Sequence, residues 1–283
     1  MLQKTIEAGL WGLLAGSALL LGAAIGYFAR VPQRLVAAIM AFGAGVLIAA
    51  LSFDLMNGAY ERGGMDATAI GFLAGAAVYS LANHAINRQG ARHRKRSGAQ
   101  QPSEEQQSGS GLAIAVGALL DGIPESIVIG VSMIQGGAVS SVAVAAVFLS
   151  NVPEALSSSS GMKRAGRSPR YIFGIWAGIA LASALAAVVG FTMFRGVSPD
   201  IVAGTTALAA GAILAMLANT MIPEAFEQAH DLVGLVTVAG FLAAFGLTKL
   251  SEEGAAAERE RRAAPEQGAA GPEASRPRAP SGP

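Results

Sequence analysis

Long apolar runs dominate the chain, and short polar clusters separate them at intervals close to a bilayer width. Eight runs are long enough to cross a hydrocarbon core, at about 7–29, 34–56, 67–87, 111–133, 138–160, 171–194, 200–222 and 232–250, with boundaries good to a few residues. The pattern predicts an all-α integral membrane protein of eight transmembrane helices, residues 1–250 forming one domain. Gly and Ala recur inside the runs, as close helix packing in lipid requires. Gly43 with Gly45, Gly71 with Gly75, and Gly174 with Gly178 are the expected contact points.

Two stretches break the pattern. Residues 88–110 are basic, then rich in Ser, Gln, Glu and Gly, and are expected to be a flexible, solvated cytoplasmic linker. Residues 251–283 are a charged Ala/Glu/Arg stretch followed by a Pro/Gly/Ala/Ser tail, expected to be disordered, although its start can extend the last helix. The first run follows a single Lys4 and lacks a small-residue cleavage pattern, so it is expected to be a span rather than a cleaved signal peptide.

Charge placement predicts orientation. With the N-terminus outside, the inner loops hold Arg30 and Arg34, then Arg88, Arg92, Arg94, Lys95 and Arg96, then Lys163, Arg164, Arg167 and Arg170; the outer loops hold only Arg62 and Arg195. Both termini then lie outside a multi-pass protein of the inner, cytoplasmic membrane. Arg259, Arg261 and Arg262 oppose this, but they alternate with glutamates and come late in the chain.

Composition agrees with the membrane assignment. Apolar residues make up 52% and charged residues 14% of the chain, with a mean hydropathy of +0.48. The net charge of +1 gives no reason to expect a nucleic-acid partner. The absence of Cys excludes disulfides, thiolate metal sites and thiol nucleophiles. Eight spans leave no room for a soluble catalytic domain, so an enzyme is not expected. No GxxxxGK[ST] sequence is present to support ATP-driven pumping.

An internal repeat is visible when Gly45 is set against Gly211. GVLIAALSFDLMNGAYER then aligns with GAILAMLANTMIPEAFEQ, pairing Leu51 with Leu217, Ala59 with Ala225 and Glu61 with Glu227. In the predicted topology these segments run in opposite directions, as an inverted repeat of spans 1–3 and 6–8 around spans 4 and 5 demands. Chance similarity of two Gly/Ala/Leu-rich helices is the competing account.

The candidate chemistry lies in runs four and five. A carboxylate at bilayer depth costs about 2.5–3.5 kcal/mol on insertion scales, so Asp121, Glu125 and Glu154 need a cation, a proton or water. Asp121 and Glu125 are i and i+4, on one helix face, where two acids repel unless a cation lies between them. Asn151 and Glu154 are i and i+3, and Ser157 to Ser160 continue that polar face. Pro124 and Pro153 each precede a glutamate and free a carbonyl four residues back, at Leu120 and Leu149, with a bend expected at each. A third pair, Pro223-Glu224, is followed by Glu227, His230 and Asp231; it is either a solvated helix end or an exit site for a metal. Asp54 is either a ligand at the outer mouth or an interfacial residue.

These motifs resemble those of the Zrt/Irt-like (ZIP) family of divalent-metal transporters, in its bacterial branch, over about residues 7–250. That family carries a His-Asn-x-Pro-Glu-Gly type motif on its fourth span and a His-Glu/Asp-x-Pro-Glu type motif on its fifth. Here the fourth reads Asp121, Gly122, Ile123, Pro124, Glu125, Ser126, and the fifth Ser150, Asn151, Val152, Pro153, Glu154. The resemblance implies a 3+2+3 bundle, a homodimeric partner, and Glu125 and Glu154 as ligands, with Pro223-Glu224 a further family feature. It departs where Asp121, Gly122, Ser150 and Asn151 replace the family's histidines, asparagine and acid. None of His84, His93 and His230 falls in these motifs, and His93 is expected to be solvated. An all-oxygen set of Asp121, Glu125, Asn151, Glu154 and Glu224 suits a harder ion, or weaker zinc binding.

The expected function is transport of a divalent cation, zinc or a harder ion such as manganese, iron or magnesium, toward the cytoplasm. The ion is substrate, and no cofactor is expected to be bound permanently. Two alternatives stay open: a proton-coupled exporter or antiporter of a non-metal substrate, and a ZIP-fold protein that does not transport.

Overall fold

The computed structural model describes residues 1–96, 99–103, 105–136, 139 and 141–263. Among them there are helices and turns and no strand. The helices are α1 (Leu2–Phe28), α2 (Gln33–Ala50), α3 (Asn57–Asn87), α4 (Ser110–Gly136), α5 (Ser141–Arg164), α6 (Pro169–Met193), α7 (Pro199–Met216), α8 (Ile222–Ala229) and α9 (Leu232–Ala263). Among the described residues, six helical stretches are long and apolar enough to cross a membrane: Leu2–Phe28, Gln33–Asn87, Ser110–Ile134, Pro169–Met193, Pro199–Ala229 and Leu232–Ser251.

The apolar pattern explains most of these elements. Leu10, Leu21, Leu73, Leu81, Leu185 and Leu242 point outward, because in lipid an exposed leucine carries no penalty. Helix α5 differs. Ser150, Asn151, Glu154, Ser157, Ser158 and Ser159 are all buried within the protein, so its polar side chains face neighbouring helices rather than lipid. Both α4 and α5 continue as helices through Pro124 and Pro153.

The two halves of the chain are built alike. The alignment that sets Gly45 on Gly211 also sets Gln33 on Pro199 and Ala50 on Met216, the bounds of α2 and α7, each 18 residues long. Each then widens into a π-helical turn, Leu51–Met56 and Leu217–Met221, whose first residues again correspond. Packing repeats the correspondence: α2 lies on α9 as α7 lies on α3, and α1 lies on α5 as α6 lies on α4. The start of α2 shares a cavity with α8, whereas Asp54, just past its end, shares one with Thr206 near the start of α7, so the two helices run oppositely.

Close approaches hold these pairs. A Cβ on Gly45 would collide with the Thr237 carbonyl of α9, one on Gly211 with the Phe72 carbonyl of α3, and one on Gly75 with the Leu208 carbonyl of α7. Gly174 and Gly178 break the expectation, for nothing lies within 4 Å of either Cβ position and they face open space. The chain reverses inside α3 at Gly64, whose φ of 65° suits glycine.

Helix α9 runs through 251–263, so the start of the tail extends the last helix, and residues 264–283 lie outside the described residues. The linker departs from its expectation, for it is not wholly solvated: Ala91, Arg94, Lys95 and Gln101 are buried.

Candidate functional site

Helix α4 places Asp121 and Glu125 in the interior, α5 places Glu154 beside them, and all three are nearly inaccessible to solvent. Asp121 is the most heavily bonded. Arg94 Nε donates to its Oδ2 at 3.0 Å, Arg94 Nη2 to its Oδ1 at 2.9 Å, and the Tyr79 hydroxyl to Oδ1 at 2.5 Å. Arg94 Nη2 also donates to the Tyr79 hydroxyl oxygen at 3.0 Å. The Lys95 ammonium lies 3.2 Å from Asp121 Oδ2 and 3.1 Å from Glu154 Oε2, bridging α4 and α5. One small cation therefore touches carboxylates from two helices.

Arg94 and Lys95 are each 2% exposed, a rare degree of burial for such residues, and it is sustained by pairing. Burial by itself lowers the affinity of Lys95 for its proton, but Asp121 and Glu154 more than offset this and hold the ammonium above its usual range. Arg94 follows the same logic and keeps its charge. His93, partly buried beside Arg96 and Arg92, is held below the ordinary histidine value, by burial first and then by those two charges.

The predicted residues do not all converge. Glu125 is close enough to interact electrostatically with Glu154, Lys95 and Asp121, yet neither of its oxygens has a hydrogen-bond partner among the described residues. It lines a chamber of about 20 Å³ that also touches Asp54 and is walled by Leu47, Leu51 and Val147. Asp54 also borders a larger cavity of about 330 Å³, with Asn57, Glu61, Arg62 and Ser132. Asn151 turns away, its amide donating to the Ala15 carbonyl of α1 at 3.0 Å. Glu224 is buried at the linker end, 3.3 Å from Ser157 Oγ, in a cavity of about 10 Å³ with Gln33, Arg96 and Glu227. Glu227 pairs with Arg96.

Polar residues thus follow one another from the cavity of about 330 Å³ through Asp54, Glu125, Glu154 and Ser157 to Glu224. Among the described residues, however, no three His, Cys, Asp or Glu side chains are grouped as a metal would need. Arg94 and Lys95 occupy the space against Asp121, and Lys95 also that against Glu154.

Sequence reasoning missed Tyr79, Arg94 and Lys95. The basic run in the linker carries only a positive-inside signal, and nothing local marks two of its cations as buried. The signal that points to them is charge balance, because acids at depth without histidines need cations from elsewhere in the chain.

No protein-family model matches the chain, and no curated protein matches it.

Proposed function

We propose that the chain carries divalent metal cations across the membrane toward the cytoplasm, zinc or a harder ion such as manganese, iron or magnesium. The observation that supports this reading is the cation seat itself, where Asp121 and Glu154 from two helices close on one ammonium. A site that accommodates one cation between two carboxylates has the charge and oxygen chemistry for a hard divalent ion. Cavities lie at both ends of the route, and the outer one leads through Asp54 to Glu125.

In this reading the bundle has eight spans in a ZIP-like 3+2+3 arrangement, with both termini outside and the linker inside. The matched bounds of α2 and α7 and their matched π-turns support an inverted repeat. Asp121, Glu125 and Glu154 exchange for the ion's hydration water, and Glu224 receives it at the inner end. Asn151 serves only to fix α5 on α1. Rocking of one helix group against the other alternates access, with no covalent step.

The test is uptake of Zn²⁺, Mn²⁺, Fe²⁺, Cd²⁺ and Mg²⁺ by proteoliposomes, with and without a proton gradient. Saturable uptake of at least one ion is expected, and Glu154→Gln, reconstituted at an equal amount of folded protein, should abolish it. Undiminished uptake by Glu154→Gln would remove the mechanism. One observation favours a second reading, a ZIP-fold protein that does not transport: the chain's own cations already sit on Asp121 and Glu154. That reading predicts no uptake of any ion by the wild type.

A further inference from the structure

The segment that follows α3 is fitted into the bundle, not laid across its end. Gly90, at φ 107°, turns the chain into a single 3-10 turn, Ala91–His93, and the next two residues carry their side chains to the acids. Backbone contacts hold it there. Gln101 Nε2 donates to the carbonyls of Arg94 at 3.0 Å, Arg96 at 3.1 Å and Ser158 at 3.1 Å, and Ser157 Oγ donates to the Lys95 carbonyl. The helices leave room for it. A Cβ on Gly117 of α4 would meet Arg94 Cδ at 2.5 Å, and one on Gly161 of α5 would collide with the Arg96 carbonyl and the Gln101 amide.

The charges balance in a telling way. Arg94 and Lys95 bring two positive charges to Asp121 and Glu154, the same charge that one divalent ion would bring. The two residues are adjacent, just past one short turn.

We infer that Arg94 and Lys95 form a tethered dication that fills the cation seat of the empty carrier, and that a divalent ion binds by displacing it. The inference rests on the transport reading above. It makes the linker a determinant of charge selectivity: once the turn withdraws about Gly90, Asp121 and Glu154 are left bare at depth beside Glu125, and an ion of charge two replaces the charge that was withdrawn. A monovalent ion leaves one carboxylate uncompensated. The segment borders solvent on its flank, where the Arg96–Glu227 pair is partly solvated.

The experiment combines hydrogen–deuterium exchange with equilibrium binding of Mn²⁺ and Zn²⁺ to the purified full chain. Exchange across residues 91–101 should rise on adding either ion and stay low in Na⁺ of equal ionic strength. The double variant Arg94→Gln/Lys95→Gln should bind the ion at least about tenfold more tightly, the gain expected if the dication holds the seat in nine of ten molecules or more. Ser157→Ala keeps every charge, removes the hydroxyl that bonds the Lys95 carbonyl and Glu224, and should give a smaller gain in the same direction. Ion binding that is equal in all three proteins, with residues 91–101 still protected, overturns the plug and leaves the transport reading standing. No binding and no uptake by the wild type and by both variants ends the transport reading, and the plug with it.

Discussion

Asp121 and Glu125 sit one helical turn apart and are equally buried, yet their surroundings differ sharply. Asp121 accepts from Arg94 through both oxygens and from Tyr79, whereas neither Glu125 oxygen has a hydrogen-bond partner among the described residues. Removing one member of a buried ion pair strands the other, at about 3–5 kcal/mol. Asp121→Asn should therefore lower unfolding stability by an amount of that order, measured by thermal denaturation in detergent. Tyr79→Phe removes one hydrogen bond to a charged group and should cost less, about 1.5–3 kcal/mol. Glu125→Gln strands no cation and should be the mildest of the three. A Glu125 variant less stable than the Asp121 variant would contradict this ranking.

At the scale of elements, small residues set how near two helices can come. Gly45 and Gly211 occupy corresponding positions on α2 and α7, and each faces a carbonyl of its partner helix with no room for a Cβ. Gly45→Val or Gly211→Val should push α2 from α9, or α7 from α3, and abolish the folded monodisperse peak in size-exclusion chromatography. Gly174→Leu and Gly178→Leu enter open space on α6 and should leave stability within about 0.5 kcal/mol, as is usual for surface changes. Glycine spacing alone made Gly45, Gly174 and Gly178 look equivalent. It marks a groove that a helix is able to offer, while the packing decides which grooves are filled.

The whole molecule adds direction. In the topology proposed above, an even number of passes with the linker on the inner side, Lys4 and Ser251 lie on one side and Gln100 on the other. All three are exposed, and a chain without Cys needs only one introduced thiol for each test. Lys4→Cys and Ser251→Cys should react with an impermeant maleimide from outside intact cells, and Gln100→Cys only after the membrane is opened. Labelling of Gln100→Cys from outside would invert the orientation, and labelling of the two ends from different sides would rule out an even number of passes.

The apolar runs, the three acids, the two prolines and the resemblance between α2 and α7 were all legible along the chain. Each depends on residues near one another in sequence, and the transfer energy that drives a helix into lipid accumulates locally, residue by residue. The neutralisation of Asp121 by Arg94 and Tyr79, the bridge from Lys95 to Glu154 and the idle Gly174 were not legible. They depend on where side chains from distant segments meet, and in a low dielectric the acids draw in whichever cation the fold brings within reach, here one supplied by a linker whose composition suggests only solvent.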